Sequence, residues 1–493
     1  QPFFFGLDRF LGPLAAGEAL PPEYGPRIPQ EGEAATFPID DAPRIMDDQA
    51  RADFTSIGTY GEDFRQAGSN AFAVAPEKSG GPTILVSNAH QPWRGPVAWY
   101  EMVVESGEGW HFAGANFPGS PFPFLGHNEN LGWTNTVNTP DMVDIYKLVL
   151  DDSGTRYRFD GEWRDLEHER VRLAARVGPF TIPVWRDVYR SVHGPVIKND
   201  DGAFAVRFAS LGSIDQLDAY YRLNKAQDFA EWREIMARGQ VPSTNFIYGD
   251  AEGNIAYIYN AAIPDRPEGF DWRGVLPGDT SATLWTDKVA YESLPQYYNP
   301  ASGWLTNRGR RAWLLMNEAE QLDRETLEAI KFDTGYENAG YVRRMMRDIA
   351  AIDVDEHPEL AEARALMLEW DFSADNVGRA DAIALLMIRE FMSSSYQKTP
   401  WPDAVEELTA AKEHLETHFG RLTPPMGDLL RLRQGDVDLP LDGGSDTLRA
   451  STTWDVEDDG RLAVRHGDSF VMWIEWLEGQ PVSSRSIQPF GAA

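Results

Sequence analysis

Two residues carry the most chemistry in this chain: Ser69, in Gly68-Ser69-Asn70-Ala71-Phe72-Ala73-Val74, and His90, 21 residues later in Asn88-Ala89-His90-Gln91-Pro92-Trp93. A serine hydroxyl is a weak nucleophile at neutral pH and needs a base beside it. If the bond between Gly68 and Ser69 is cut, Ser69 gains its own base, because an α-amine titrates near about 7.7 to 8.0 and is partly neutral at physiological pH. One residue then holds nucleophile and base, ready for acyl transfer through a covalent ester. The tripeptide alone is not diagnostic. Gly, Ser and Asn are also the usual residues of turns, and the alternative for His90 is a hydrogen-bonded loop residue.

Such groups need a scaffold, and with 493 residues the chain is long enough for one large multilayer domain with satellites, or for two to three domains. Residues 1 to 50 are broken by Pro21-Pro22, Pro26 and Pro29 and read as loop. From Ala71 to about Val196 short alternating runs predict strands, among them Ala71-Phe72-Ala73-Val74, Thr83-Ile84-Leu85-Val86 and Trp99-Tyr100-Glu101-Met102-Val103-Val104. Helical spacing covers 215–238 and returns over 318–352, 357–371, 380–394 and 402–419. Strand patterns resume at Arg461-Leu462-Ala463-Val464 and Ser469-Phe470-Val471-Met472-Trp473-Ile474. Strands on both sides of a helical insertion give an α+β class.

Composition removes several functions. A formal net charge of -32, from 77 acidic against 45 basic residues, argues against nucleic acid and anionic membrane surfaces as partners and suits calcium better. There is no cysteine, hence no disulfide, thiol nucleophile or thiolate-bound metal. No apolar run approaches the length of a membrane span, and the opening Gln1-Pro2-Phe3-Phe4-Phe5-Gly6 lacks the pattern of a signal peptide and reads as an internal start. Sixteen tryptophans and 25 phenylalanines suffice to line an acyl pocket, although aromatics more often fill cores. Adjacency to the other marks singles out Phe72 and Trp99 or Trp133.

With two further motifs, at 126–137 and 245–257, the chain resembles the penicillin acylase family of N-terminal nucleophile hydrolases, a group that includes acyl-homoserine lactone acylases and aculeacin A acylase. Residues 69 to 74 match the start of the family's large subunit, and His90-Gln91-Pro92 matches its histidine followed by x-Pro. Gly126-His127-Asn128-Glu129-Asn130-Leu131-Gly132-Trp133-Thr134-Asn135-Thr136-Val137 resembles the loop that ends on an oxyanion-hole backbone N–H, here that of Val137. Asn245-Phe246-Ile247-Tyr248-Gly249-Asp250-Ala251-Glu252-Gly253-Asn254-Ile255-Ala256-Tyr257 matches a family hairpin.

The resemblance implies a four-layer αββα sandwich with a helical insertion, self-cleavage before Ser69, and an amidohydrolase of the periplasm or secreted space. Its substrates would be N-acyl amides such as β-lactam side chains, acyl-homoserine lactones or acylated peptides. Residues 1–68 would be an α-subunit remnant and linker, partnering residues 69–493 as a heterodimer from one precursor. Within the larger part, 69–315 is mainly strands with a helix at 215–238, 316–425 is helical, and 426–493 returns to strands. His90 would support the nucleophile. No organic cofactor is implied, but a structural calcium ion is, held by Asp141, the Val143 carbonyl and Asp144. Without the resemblance, those aspartates read as caps of a turn before Ile145-Tyr146-Lys147-Leu148.

The match has gaps. No Ala-Gln-Asp-Arg motif precedes Ser69, and the C-terminus stops before the family's Ser-Pro-His-Tyr-like stretch, so both ends look short. After Asn299-Pro300-Ala301-Ser302-Gly303-Trp304 the family's second oxyanion donor, an asparagine side chain, aligns with Gly309. Either a deletion removed that donor, which is the preferred reading, or Asn307 has taken its role, with Arg308 or Arg311 as the arginine that steadies it. Two other functions stay open on sequence grounds: an inactive or unprocessed homologue, and a secreted carbohydrate-binding or two-carboxylate glycosidase scaffold.

Overall fold

Alternation along one strand decides where the sheets and helices pack. In a computed structural model, which describes residues 68–491 without 139, 178, 179, 273, 308, 309 and 398, Gly68–Val74 pairs antiparallel with Thr83–His90. Successive side chains leave a strand on opposite faces. Ala71 and Ala73 therefore join one buried cluster with Leu85, Ala89, Phe470 and Met472, while Phe72 and Val74 join another with Ile84, Val86 and Trp473. These clusters lie on the two faces of a five-stranded sheet in the order 304–306, 68–74, 83–90, 470–476, 483–487.

Each face meets a different layer. The Phe72 face is covered by helices Arg310–Glu318 and Arg324–Lys331 through Ala312, Met316, Leu327 and Ile330. The Ala71 face packs on a seven-stranded sheet, ordered 296–298, 255–261, 243–250, 131–136, 125–127, 110–116, 100–106, through Ala115, Leu125, Ile247 and Ile255. Beyond that sheet, helices Gln216–Lys225 and Phe229–Ala237 press Leu223, Trp232 and Ile235 onto Leu131, Trp133, Phe246 and Tyr248. The layers run helix, sheet, sheet, helix, so the α+β class and the four-layer αββα sandwich hold. The inserted helices Gly340–Ala350, Ala361–Leu368, Asp381–Gln397 and Ala404–Phe419 form their own core around Met345, Met367, Ile388 and Leu408.

Two expected helices are broken. The span 215–238 is two helices, because the Asp228 side chain accepts the Glu231 N–H at 2.8 Å and starts a new one. The span 318–352 holds the end of Arg310–Glu318, then Arg324–Lys331 and Gly340–Ala350, with Asp323 capping the second through the Thr326 N–H at 2.9 Å. Among the described residues, no helix is long and apolar enough to cross a membrane. The Pro-rich opening and the whole of 1–67 lie outside the described residues.

Candidate active site

The 21-residue spacing has a geometric cause. In the antiparallel register Gly68 faces His90 and Ser69 faces Ala89, so the residue that follows the second strand's Ala89 is set across from the Gly68–Ser69 bond. Ser69 is 2% exposed, and the His90 backbone N–H donates to its Oγ at 3.4 Å. The parity that places Ala71 and Ala73 between the sheets applies to Ser69 as well.

Behind His90 lies a charge network that sequence reading missed. His90 Nε2 stands 3.4 Å from Asp468 Oδ1, and Asp468 Oδ2 meets Lys331 Nζ at 2.8 Å and Arg449 Nη1 at 2.8 Å. Burial alone would raise the Asp468 carboxyl. The cations Lys331 and Arg449, together with His90, outweigh it and hold that carboxyl well below the usual range. Lys331 is fully buried and also donates to the Leu448 carbonyl at 3.2 Å. Ser469 bonds back to the same strand: its N–H and Oγ both donate to the Ala89 carbonyl, at 2.8 and 2.7 Å, and the Oγ accepts the Gln91 N–H. Ser469, just ahead of the strand beginning at Phe470, thus fixes the end of the strand that carries His90. The only sequence signal was His466-Gly467-Asp468-Ser469 ahead of an apolar run.

Ser69 lines a small cleft, partly open to solvent, whose walls include Trp99, Phe117, Phe124 and Val137. Trp99 stacks on Phe117 with centroids 4.4 Å apart. Of the aromatics singled out from sequence, Trp99 lines this cleft. Phe72 and Trp133 do not: both are wholly buried against the outer helices, since their strand positions point away from the space between the sheets.

Val137 directly follows Thr136, where the ladder between 131–136 and 243–250 ends with Thr136 opposite Asn245. Two side-chain amides converge there. Asn307 donates its Nδ2 to Thr136 Oγ1, and Asn245 donates to the same oxygen at 3.0 Å. Asn307 reaches this point because Trp304–Thr306 pairs with Phe72–Val74, after a turn in which Gly303 has φ +69° and Asn299 φ +43°. Ser69, Thr136 and Val137 thus line one cleft, and Asn307 reaches it through its hydrogen bond to Thr136. Asn245 was read only as the start of a hairpin. Arg308 and Gly309 lie outside the described residues. Arg311 is engaged elsewhere, bidentate to Asp333 at 2.9 Å and paired with Glu337 at 3.2 Å.

The remaining motif residues are structural. Gly126, at φ +135°, lies so close to the next strand that a Cβ would sit 2.1 Å from the Ala113 carbonyl oxygen. Asn128 Oδ1 accepts the N–H groups of Asn130 and Leu131, both at 2.9 Å, and closes the turn. His127 contacts Ser484 Oγ at 2.7 Å, and burial lowers its pKa.

Asp141 and Asp144 do come together, but around a guanidinium. Arg266 Nη2 lies 3.0 Å from Asp141 Oδ1, and Arg266 Nε donates to Asp144 Oδ2 at 3.0 Å. Trp285 Nε1 donates to the same Asp144 oxygen at 2.7 Å. Burial raises both carboxyls, Asp144 to about 6, with Arg266 pulling against it. These residues do not fit calcium, which needs six to eight oxygen ligands in the space a cation already fills. Among the described residues no group of three or more His, Cys, Asp or Glu is arranged to hold a metal ion.

Comparison with known proteins agrees with this architecture. A family model described as penicillin amidase matches residues 12–493. The acyl-homoserine lactone acylase PvdQ of Pseudomonas fluorescens (strain Pf0-1) is 30% identical over 496 aligned positions, covering 84% of this chain and 64% of that protein. Penicillin G acylase of Escherichia coli is 32% identical over 266 positions, covering 50% of this chain and 31% of its own length. The chain therefore spans less than two thirds of these relatives. In fold it is similar to a thermostable penicillin G acylase from Alcaligenes faecalis, with a TM-score of 0.63 and 18% identity over 86% of this chain and 91% of that one. Matched by the family model over nearly its whole length, the chain belongs to the penicillin amidase family.

Proposed function

We propose that the protein hydrolyses N-acyl amides through Ser69, made N-terminal by self-cleavage of the Gly68–Ser69 bond. Ser69 Oγ attacks the amide carbonyl while the Ser69 α-amine takes the hydroxyl proton. The C–N bond breaks as that proton passes to the departing amine, leaving an ester on Ser69. The amine then deprotonates a water, which attacks the ester, releases the carboxylic acid and restores the hydroxyl. The Val137 N–H and the Asn307 amide meet the charge on the carbonyl oxygen, each worth roughly 3 to 4 kcal/mol in comparable sites. His90, braced by Asp468, holds the nucleophile strand in position.

One observation carries this reading: Ser69 shares an aromatic-walled cleft with Val137, at a bond faced across the sheet by His90. Trp99, Phe117 and Phe124 favour an apolar acyl group. Relatives named for penicillin G and for acyl-homoserine lactones support β-lactam side chains, acyl-homoserine lactones or acylated peptides as the substrate class. The cleaved form is a heterodimer of the segment ending at Gly68 and the part from Ser69 onward, with its helical block inserted between two strand regions, in a periplasmic or secreted setting. No step runs through a metal, and the calcium expected at Asp141, Val143 and Asp144 gives way to the arrangement argued below. The test is a fluorogenic acyl-amide assay with wild-type protein and Ser69→Ala. Hydrolysis confined to the wild type, with the variant down by on the order of 10³-fold or more, supports the mechanism. Activity that survives in Ser69→Ala refutes it.

A further inference from the structure

The disagreement between the acidic pair and a metal has its own consequence. Asp144 has a wholly buried side chain, and Asp141 and Arg266 expose only 19% and 15% of theirs, so a guanidinium lies sealed against two carboxylates. A second cation stands nearby. Arg207 is the ladder partner of Asp144 on the neighbouring strand, lies 4.4 Å from the centroid of the Trp285 ring, and interacts electrostatically with Asp144. Two carboxylates and two guanidinium groups leave the cluster without the excess negative charge that a divalent ion requires. The Val143 N–H is turned onto the Asp141 carboxylate. The Arg266 guanidinium carbon also lies 5.7 Å from the centroid of the Trp272 ring.

We propose that Arg266 is the resident cation of this site, a covalently attached substitute for a divalent ion, and that Asp141 and Asp144 form a latent calcium site exposed only when Arg266 is removed. The guanidinium suits the role because it is planar, always charged and less strongly hydrated than an ammonium, so it tolerates burial between two carboxylates. It fastens the segment around 262–289 onto the strand Val143–Leu148. A calcium ion would do the same by coordination, and would dissociate in a chelator. The proposal stands apart from the Ser69 chemistry.

The test compares wild type, Arg266→Ala and Arg266→Ala/Asp144→Asn by thermal unfolding with calcium chloride or EDTA, and by calorimetric titration with calcium chloride. The wild type should show the same Tm in both solutions and no stoichiometric heat. Arg266→Ala should melt several degrees lower in EDTA, recover most of that loss in calcium and bind about one ion, while the double variant should lose the response. A wild-type Tm that falls in EDTA, or a one-to-one calcium heat on the wild type, overturns the proposal without reference to any variant. A calcium-indifferent Arg266→Ala overturns the latent site.

Discussion

Asn307 and Asn245 present their amides to one hydroxyl, that of Thr136, one residue before Val137. Only a donor that turns from Thr136 toward a developing oxyanion contributes to the rate, and Asn307, which follows the strand paired with the nucleophile strand, is the better placed of the two. Asn307→Ala should lower kcat by roughly 10²- to 10³-fold with KM little changed. A loss below tenfold, measured on a cleaved variant, moves the donor role to Asn245. Sequence alone singled out Asn307 through the Asn-Pro-x-x-Gly-Trp turn but preferred a deletion, because pairing with Phe72–Val74 is a tertiary fact invisible in a linear string. Asp468 was out of reach for the same reason: it touches His90 from the loop before Phe470, with nothing between them in sequence to suggest proximity.

Strands announced themselves better than helix ends did. Apolar alternation at 71–74, 83–86 and 470–474 mapped directly onto the central strands of one sheet, because a buried strand must be apolar wherever it lies. Helix breaks were less visible, since Asp228 and Asp323 interrupt continuous apolar periodicity by capping rather than by Pro or Gly. Asp228 with Glu231 three residues on is a capping signal that a closer reading would have used. The family loop Gly126 to Val137 depends on close strand approach at its first residue. Gly126→Ala must both relieve a 2.1 Å contact with the Ala113 carbonyl and abandon φ +135°. We expect a loss of about 2 kcal/mol or more in urea unfolding, with Gly107→Ala, where a Cβ meets nothing within 4 Å, as the control.

Across the molecule, burial sets charge states that acid must undo. His466 is 2% exposed, and burial first, with Arg465 and Arg389 adding to it, lowers its pKa to about 4 from 6.5. A histidine whose folded pKa lies below its unfolded value favours the fold above pH 6.5 and loses that advantage as pH falls toward 4. Asp381, raised to about 7 by burial with Asp375 and Asp371 beside it, works in the opposite sense, so the net slope of the parent hides both. His466→Gln isolates one group: relative to the parent it should gain roughly 3 kcal/mol on going from pH 7 to pH 4, read by urea unfolding at each pH. An unchanged difference means that His466 is accessible to protons in the fold. The layer order was anticipated through family resemblance, whereas the strand order that brings 470–476 beside 83–90 required the structure. What the whole arrangement is for turns on one bond. Intact-mass and N-terminal analysis of active protein should find a fragment whose first residue is Ser69; active protein in which Gly68 and Ser69 are still joined would contradict the account.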